Sequence, residues 1–391
     1  MRGRSWTARR VYGAAGPWAQ ALIVAGAGAL SLARYRRLPD VRSAPTVEPQ
    51  GAEWPLVSII VPARNEERNL PALLASLLAQ DYPAFEVIVV DDASTDETGA
   101  LADAYAERDR RRLSVIHGAG PAPGWTGKSA ACWLGARVAR GAWLLFTDAD
   151  TRHEPGALRA AMALARAAHV EAVSLFPRQR CETFWERLLL PFAYQQYFVG
   201  VRTGSLGQVE APALANGQYF LISRRAYDAA GGHAAVAASV IEDVALAGAL
   251  KRAGYPALMA RGEAQVSVRM YGSLGALVEG FTKNAAQFLR AQRSSGALVG
   301  ISCAASAATL PALVRALATR NPMGAAGALA AWVAQVVALA PWMRGFGTPR
   351  RYAALGPLAA LAFTGVALSS FAHALLRWPV RWKGRPYAPR S

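Results

Sequence analysis

Apolar residues fall into two rhythms along this chain. Between about residues 55 and 290, short apolar runs alternate with stretches of helical periodicity. Outside that block lie long, nearly uncharged runs of small apolar residues. Within the block, LVSIIVP (Leu56–Pro62), FEVIVVDD (Phe85–Asp92), LSVIHG (Leu113–Gly118), WLLFTDAD (Trp143–Asp150) and VEAVSLFP (Val170–Pro177) predict strands buried on both faces. Helical stretches separate them at Asn69–Leu78, Thr98–Arg108, Lys128–Arg140 and Pro155–Ala168. That alternation predicts right-handed βαβ crossovers and an α/β fold with a mostly parallel, Rossmann-like sheet. A helix over Ser239–Tyr255 and a strand over Ala264–Val268 complete the block. Thr183–Val199, rich in Phe, Trp and Tyr, has two readings: a helix lying on a membrane surface, or an ordinary core helix.

The flanks read as membrane segments. Residues 13–33 are apolar, uncharged and long enough to span. Their length, and the lack of a cleavage site before Arg34, predict a retained N-terminal anchor rather than a signal peptide. Residues 38–55 read as a Pro-containing polar linker. Three more segments follow at 297–318, 323–343 and 353–376. The first contains Pro311 and Arg315 and is expected to be re-entrant or interfacial, which leaves two full spans. Two spans would return the basic tail, residues 377–391, to the face that holds the central block. The positive-inside tendency favours the cytoplasm for that tail, with Arg377, Arg381, Lys383, Arg385 and Arg390. The expectation is a multi-pass protein of the inner, cytoplasmic membrane with its central block in the cytoplasm.

Composition supports this picture. Apolar residues make up 53% of the 391 positions, high for a soluble enzyme. The net charge of +17 is spread over clusters at Arg2–Arg10, Arg34–Arg42, Arg344–Arg351 and Arg377–Arg390. Each cluster flanks an apolar run, as in membrane anchoring to anionic headgroups. No nucleic-acid-binding module accompanies them, so no nucleic-acid partner is expected. Cys132, Cys181 and Cys303 are far apart and the histidines form no ligand pair, so neither disulfides nor a zinc site is expected.

Candidate chemistry collects at the strand ends, where open α/β sheets bind their ligands. VPARNEE (Val61–Glu67) offers Arg64, Asn65 and Glu66 to a base and ribose, or Asn65 simply caps a helix. VVDDASTDET offers Asp91 and Asp92 as acceptors for a base N–H or a ribose hydroxyl. Lys128 in GWTGKSAA stands at a helix start, where it could neutralise a diphosphate, although the glycine spacing is not that of a P-loop. Asp148 and Asp150 are hard carboxylates suited to Mg²⁺ or Mn²⁺ and the phosphates it carries, or are a cap or solvated turn. His153 is expected to face solvent or to cap rather than to serve as a third ligand. Glu242 and Asp243 open the Ser239–Tyr255 helix, where they cap it or act chemically, Asp243 as a general base.

In this order and at these separations, LVSIIVPARNEERNL, VIVVDDASTDET, GKSAACWLGA, LLFTDADT and IEDVALAGALKRAGY resemble the family 2 glycosyltransferases of the GT-A fold, over about residues 55–290. GWTGKSAAC, RMYGS, GFTKN and WKGRPY are more narrowly similar to membrane enzymes of hopanoid and carotenoid lipid glycosylation. The resemblance implies inverting transfer from a nucleotide-diphospho-sugar, most often a UDP-sugar. It places Pro62, Arg64, Glu66 and Asp92 at the nucleoside, Asp148 and Asp150 at the metal and diphosphate, and Asp243 as base. Arg269 and Tyr271 either line the site or form a structural turn. Gln287 and Arg290 match the QxxRW pattern of processive polysaccharide synthases, but Ala291 stands where that pattern has Trp. A single transfer to a lipid acceptor is therefore expected over a processive synthase. A nucleotidyltransferase would carry a Gly- and Arg-rich loop after the first strand, where this chain has ARNEE. A non-enzymatic transport protein would not need carboxylates at several strand ends.

Overall fold

The computed structural model describes residues 3–44, 54–203, 213–291, 293–376, 378, 380–382 and 385–387. In chain order, α1 (Gly3–Arg36) precedes β1 (Val57–Ala63), α2 (Leu70–Leu78), β2 (Phe85–Asp92), α3 (Thr98–Arg108), β3 (Leu113–Gly118), α4 (Gly127–Val138), β4 (Trp143–Phe146) and β5 (Thr151–His153). Next come α5 (Ala157–Ala167), β6 (Ala172–Phe176), β7 (Arg178–Gln179), α6 (Phe184–Gly200), β8 (Phe220–Ser223), α7 (Arg224–Ala229), α8 (Glu242–Arg252), β9 (Leu258–Arg261) and β10 (Val266–Val268). The rest is α9 (Leu274–Ala291), α10 (Arg293–Ala307), α11 (Thr309–Ala318), α12 (Pro322–Gly345), α13 (Gly356–Leu376), β11 (Val380–Trp382) and β12 (Arg385–Tyr387).

Two compact units divide these elements. The α/β unit comprises Leu38–Gln179 and Thr203–Met270; the helical unit comprises Met1–Arg37, Arg180–Arg202 and Tyr271–Ser391. The continuous block expected over 55–290 is thus interrupted, because α6 packs with α1, α10, α12 and α13 of the helical unit.

In the α/β unit the main sheet has the order β3-β2-β1-β4-β8-β6-β9. Side chains alternate across β1: Val57, Ile59 and Val61 join Leu73 and Leu77 on one face, and Ile60 joins Cys132 and Phe146 on the other. Both faces are covered, so the strand shows no polar alternation. β1 pairs in parallel with β2 and β4, whereas β8 runs antiparallel between β4 and β6. β8 and β9 lie outside the strands expected from sequence; each is only four residues long, too short to show a period. The fourth apolar run stops being strand at Phe146, four residues before Asp150. There Thr147 turns its hydroxyl to the Gln218 carbonyl (2.8 Å), and Thr151 closes a turn onto the Asp148 carbonyl through its N–H (3.2 Å) and hydroxyl (2.8 Å). β5, β10 and β7 form a small second sheet beneath this turn.

In the helical unit, α1 and α12 run parallel. A Cβ on Gly327 would meet Pro17 and Trp18, and one on Gly28 would lie 2.4 Å from the Cβ of Ala338. Four stretches are long and apolar enough to cross a membrane: Ala15–Arg36, Gly296–Ala318, Pro322–Gly345 and Arg350–His373. The second is interrupted at Ala308, between α10 and α11. α6 starts at a capping box, with Glu186 accepting from the N–H of Thr183 (2.6 Å) and Thr183 accepting from that of Glu186 (3.3 Å). Leu188, Leu189, Phe192, Phe198 and Val199 are buried, so of its two readings the core helix describes it.

Candidate functional site

The site is assembled at the strand ends of the α/β unit from four separate stretches of sequence. α4 begins where Thr126 caps it, its hydroxyl accepting from the Ser129 N–H. That start places Lys128 on the first turn. The Lys128 Nζ lies 2.6 Å from Asp148 Oδ1, in the turn after β4, and 2.7 Å from Glu242 Oε1, at the start of α8. The next residue, Asp243, is held by two backbone N–H groups: Gly217 donates to Oδ2 at 2.7 Å and Val244 to Oδ1 at 2.8 Å. Its carboxylate is thereby fixed in direction. The Glu242–Asp243 pair does not cap α8 through a side chain; the N-cap position is Ile241.

Electrostatics couples these groups. Burial pulls the Lys128 amine down, but the charges of Asp148, Glu242 and Asp243 more than reverse it and hold the amine well above its usual range. Burial, followed by the Glu242 charge, pushes Asp243 up to about 6, against Lys128 and the two N–H donors. A carboxylate of raised pKa beside a cation and a second carboxylate is the arrangement that suits a general base near neutral pH.

Gly217 was not foreseen from the sequence. A Cβ there would sit 3.0 Å from Lys128 Nζ and 3.3 Å from Asp243 Oδ2, tight enough that either neighbour must give by a few tenths of an ångström. The Asn216-Gly217 dipeptide is a turn signal in the sequence, but its address depends on the antiparallel β8 that follows.

The loop after β1 and the loop after β2 are stitched together. Arg64 donates to the carbonyls of Asp92 (2.6 Å) and Ala93 (2.7 Å), and the Asn65 side chain accepts from the Thr95 N–H (2.9 Å). Asn65 does not cap α2; it sits at φ 53°, a left-handed conformation that asparagine tolerates. Glu66 is buried and accepts from the Asn69 amide at 2.8 Å. Pro62, one residue before the end of β1, leads into this junction. Asp91 and Asp92 diverge. Asp91 accepts from the Ser94 N–H (3.0 Å) and lies 3.4 Å from His117 Nδ1, while His117 Nε2 is 3.1 Å from Asp103. The Asp103 partner first, and then Asp91, raises the His117 pKa against burial.

Around Asp150, Arg269 donates its N–H to the Asp150 carbonyl at 3.2 Å. His153 differs from expectation. It is buried, with Nε2 at 3.1 Å from the hydroxyls of both Thr147 and Thr151, and burial pushes it down to about 3. It braces the turn rather than facing solvent. Tyr271 belongs to the helical unit, where it is buried against Gly280 and Phe281. Gln287 and Arg290 are on α9, but their side chains lie outside the described residues.

The donor set matches one mode of metal binding. Among the described residues no three His, Cys, Asp or Glu side chains cluster for a metal. Asp148 and Asp150 supply two hard carboxylates at a turn, which suits an ion bound by one or two carboxylates with the remaining positions filled by phosphate oxygens and water. The residues fit Mg²⁺ or Mn²⁺ arriving with a diphosphate, not a closed protein cage.

Comparison with solved structures gives the class first. The chain is similar to a mannosyltransferase from Pyrobaculum calidifontis solved in complex with GDP-Man and Mn²⁺, with a TM-score of 0.55 and 20% identity over 93% of this chain and 99% of that one. The fold is therefore GT-A, with a mostly parallel mixed sheet. A family model gives the second step: residues 58–229 match that of glycosyl transferase family 2. Among curated relatives, the 4,4'-diaponeurosporenoate glycosyltransferase of Staphylococcus haemolyticus is 32% identical over 240 residues, 61% of this chain and 63% of that protein. The protein of the same name from Staphylococcus aureus is 32% identical over 237 residues, 58% of this chain and 60% of its own length. The chain thus spans less than two thirds of the length of these relatives.

Proposed function

We propose that this chain is a membrane glycosyltransferase. It moves a sugar from a nucleotide-diphospho-sugar, a UDP-sugar in the reading of the sequence, to a lipid acceptor with inversion at the anomeric carbon. The observation that carries this reading is Asp243, fixed by the Gly217 and Val244 N–H groups beside the Lys128–Asp148–Glu242 cluster.

Each residue then has a task. The junction of Pro62, Arg64, Glu66, Asp91 and Asp92 takes the nucleoside, with Asp91 setting the shape of the loop and Asp92 at the binding edge. Asp148 and Asp150 would hold the divalent ion, which when bound supplies charge neutralisation at the diphosphate oxygens. Lys128 turns its ammonium to the departing diphosphate, whose negative charge grows as the bond to the anomeric carbon breaks. Glu242 positions Lys128. Asp243 accepts the proton of an acceptor hydroxyl while that oxygen bonds to the anomeric carbon from the face opposite the diphosphate. One displacement inverts the configuration without a covalent enzyme intermediate. Arg269, tied to the Asp150 turn, adds positive charge near the diphosphate.

The acceptor class is supported by the apolar helices and by the name of the staphylococcal relatives, which specifies a carotenoid carboxylate. The proposed domain plan is an anchor at 13–33, a catalytic domain at 55–290, membrane segments at 297–376 and a basic tail at 377–391. The catalytic domain lies in the cytoplasm, at the inner membrane.

The test is Asp243→Asn in the full-length protein, supplied with UDP-sugars and membrane lipid extract. Transfer falls by roughly 10²–10⁴, while calorimetry shows donor affinity retained. Undiminished transfer rejects the assignment of the base.

A further inference from the structure

The charge of this chain is not shared between its units. The helical unit holds 23 of the 43 Lys and Arg residues but 3 of the 26 Asp and Glu residues, which makes it +20; the α/β unit is left with 20 against 23, or −3. The three acids of the helical unit are Glu182, Glu186 and Glu279, and Glu186 is already occupied in the capping box of α6.

Part of that charge converges at one place. Arg34, near the end of α1, donates to the carbonyls of Val199 and Phe198 in the last turn of α6. This anchors the two helix ends together, a cation on a helix C-terminus. Arg37 and Arg202 lie close enough to Arg34 for their charges to repel it. The end of α12 joins them through rings: Tyr35 lies 5.4 Å from Phe198 and 5.2 Å from Trp342, and Phe198 stacks on Trp342 at 5.3 Å. Arg344 follows two residues later. Arg36, Arg37, Arg202 and Arg344, at or just beyond these helix ends, are all exposed. Trp342 is buried, and its indole N–H has no hydrogen-bond partner among the described residues.

Aromatic rings with arginines at the ends of apolar helices are the composition of a membrane–water boundary. Here three helix ends meet, Arg37 and Arg202 repel Arg34, and carboxylates are nearly lacking from the unit. A phosphodiester relieves that repulsion, and guanidinium forks match its oxygens. We infer that the joined ends of α1, α6 and α12 form a binding site for the headgroup of an anionic phospholipid, with Arg37, Arg202 and Arg344 as its phosphate ligands. The acyl chains run along the exposed apolar flank of α12, where Leu329, Val333 and Val337 face outward. The site is independent of the sugar-transfer reading.

The test uses the full-length protein in neutral detergent, mixed with phosphatidylglycerol or phosphatidylcholine and examined by native mass spectrometry. Phosphatidylglycerol should be retained in clear preference, and the preference should fall roughly five-fold for each arginine replaced by glutamine in R37Q, R202Q and R344Q. The charge-preserving variants R37K, R202K and R344K should keep most of it, as should R110Q/R111Q in the α/β unit. Equal retention of the two lipids overturns the proposal, as does a triple glutamine variant that folds and still prefers phosphatidylglycerol. If the triple variant fails to fold, the lysine series and the three single variants decide the matter. Millimolar inorganic phosphate should not displace the lipid; full displacement would assign the site to soluble anions instead.

Discussion

At the scale of single residues, the site depends on one position without a side chain. Gly217→Ala puts a methyl group 3.0 Å from Lys128 Nζ and 3.3 Å from Asp243 Oδ2, distances that force the base or the amine to move. We expect at least a tenfold loss in kcat with the circular dichroism spectrum unchanged, since a small misplacement of a reacting group is expensive in rate. pH dependence follows from Asp243. Only its ionised form accepts a proton, and its pKa is raised to about 6. Initial rates at subsaturating donor should therefore be flat above about pH 7 and fall about tenfold per unit below pH 6. The same shift costs stability: the folded state binds the proton more tightly than the unfolded state, so stability is lost as pH rises from the usual carboxylate range through about 6. Asp243→Asn should accordingly flatten the fall of melting temperature over that pH range while removing activity. Lys128, Asp148, Glu242 and Asp243, which the fold brings together, stood out in the sequence as charged residues at the ends of apolar runs or the starts of helices. Gly217 and His153 did not. A glycine in a polar turn carries no period, and a histidine three residues past a carboxylate gives no sign that two threonine hydroxyls will enclose it.

At the scale of elements, runs rich in Val and Ile marked β1 and β2 because strands covered on both faces need no polar alternation. β8 escaped because its four residues stand alone and its antiparallel direction breaks the βαβ pattern. α6 was ambiguous because aromatic residues suit a membrane surface and a packed interior equally well; contacts such as Phe192–Phe363 at 5.6 Å decide it. The pairing of α1 with α12 depends on small residues that bring backbones together. Gly28→Val therefore collides with Ala338, 2.4 Å from the new Cβ. A cost of about 1–3 kcal/mol should appear as a lower melting temperature in detergent, with donor binding to the α/β unit preserved.

At the scale of the whole molecule, hydropathy gives segments but not how many of them cross. Gly296–Ala318, expected to be re-entrant or interfacial, packs beside α1: Gln20 donates to the Ala305 carbonyl at 2.7 Å and to the Thr309 hydroxyl at 2.9 Å. α13 packs on α9 as well as on α6 and α10. Ser370 donates to the Thr282 carbonyl on α9 at 2.6 Å, and β11 packs on α9 as well. α9 begins four residues after Met270, the last residue of the α/β unit. We expect the tail to stay on the side of the membrane where α1 ends. A side-specific reporter fused after Ser391 and another inserted after Asp40 should then give the same signal; opposite signals would mean that α13 crosses fully.

The placement of β8 also sets an order of assembly. Its place in the sheet is between β4 and β6, yet the ribosome delivers it only after α6 has emerged. Until residue 223 is made, the sheet has a gap at its middle, with the edges of β4 and β6 unpaired while α6 still seeks its place among the membrane helices. Completion of the α/β sheet and packing of the apolar helices are thus interleaved steps of one biosynthetic sequence. A gene fragment cut to residues 38–270 would carry α6 without the apolar helices that receive it.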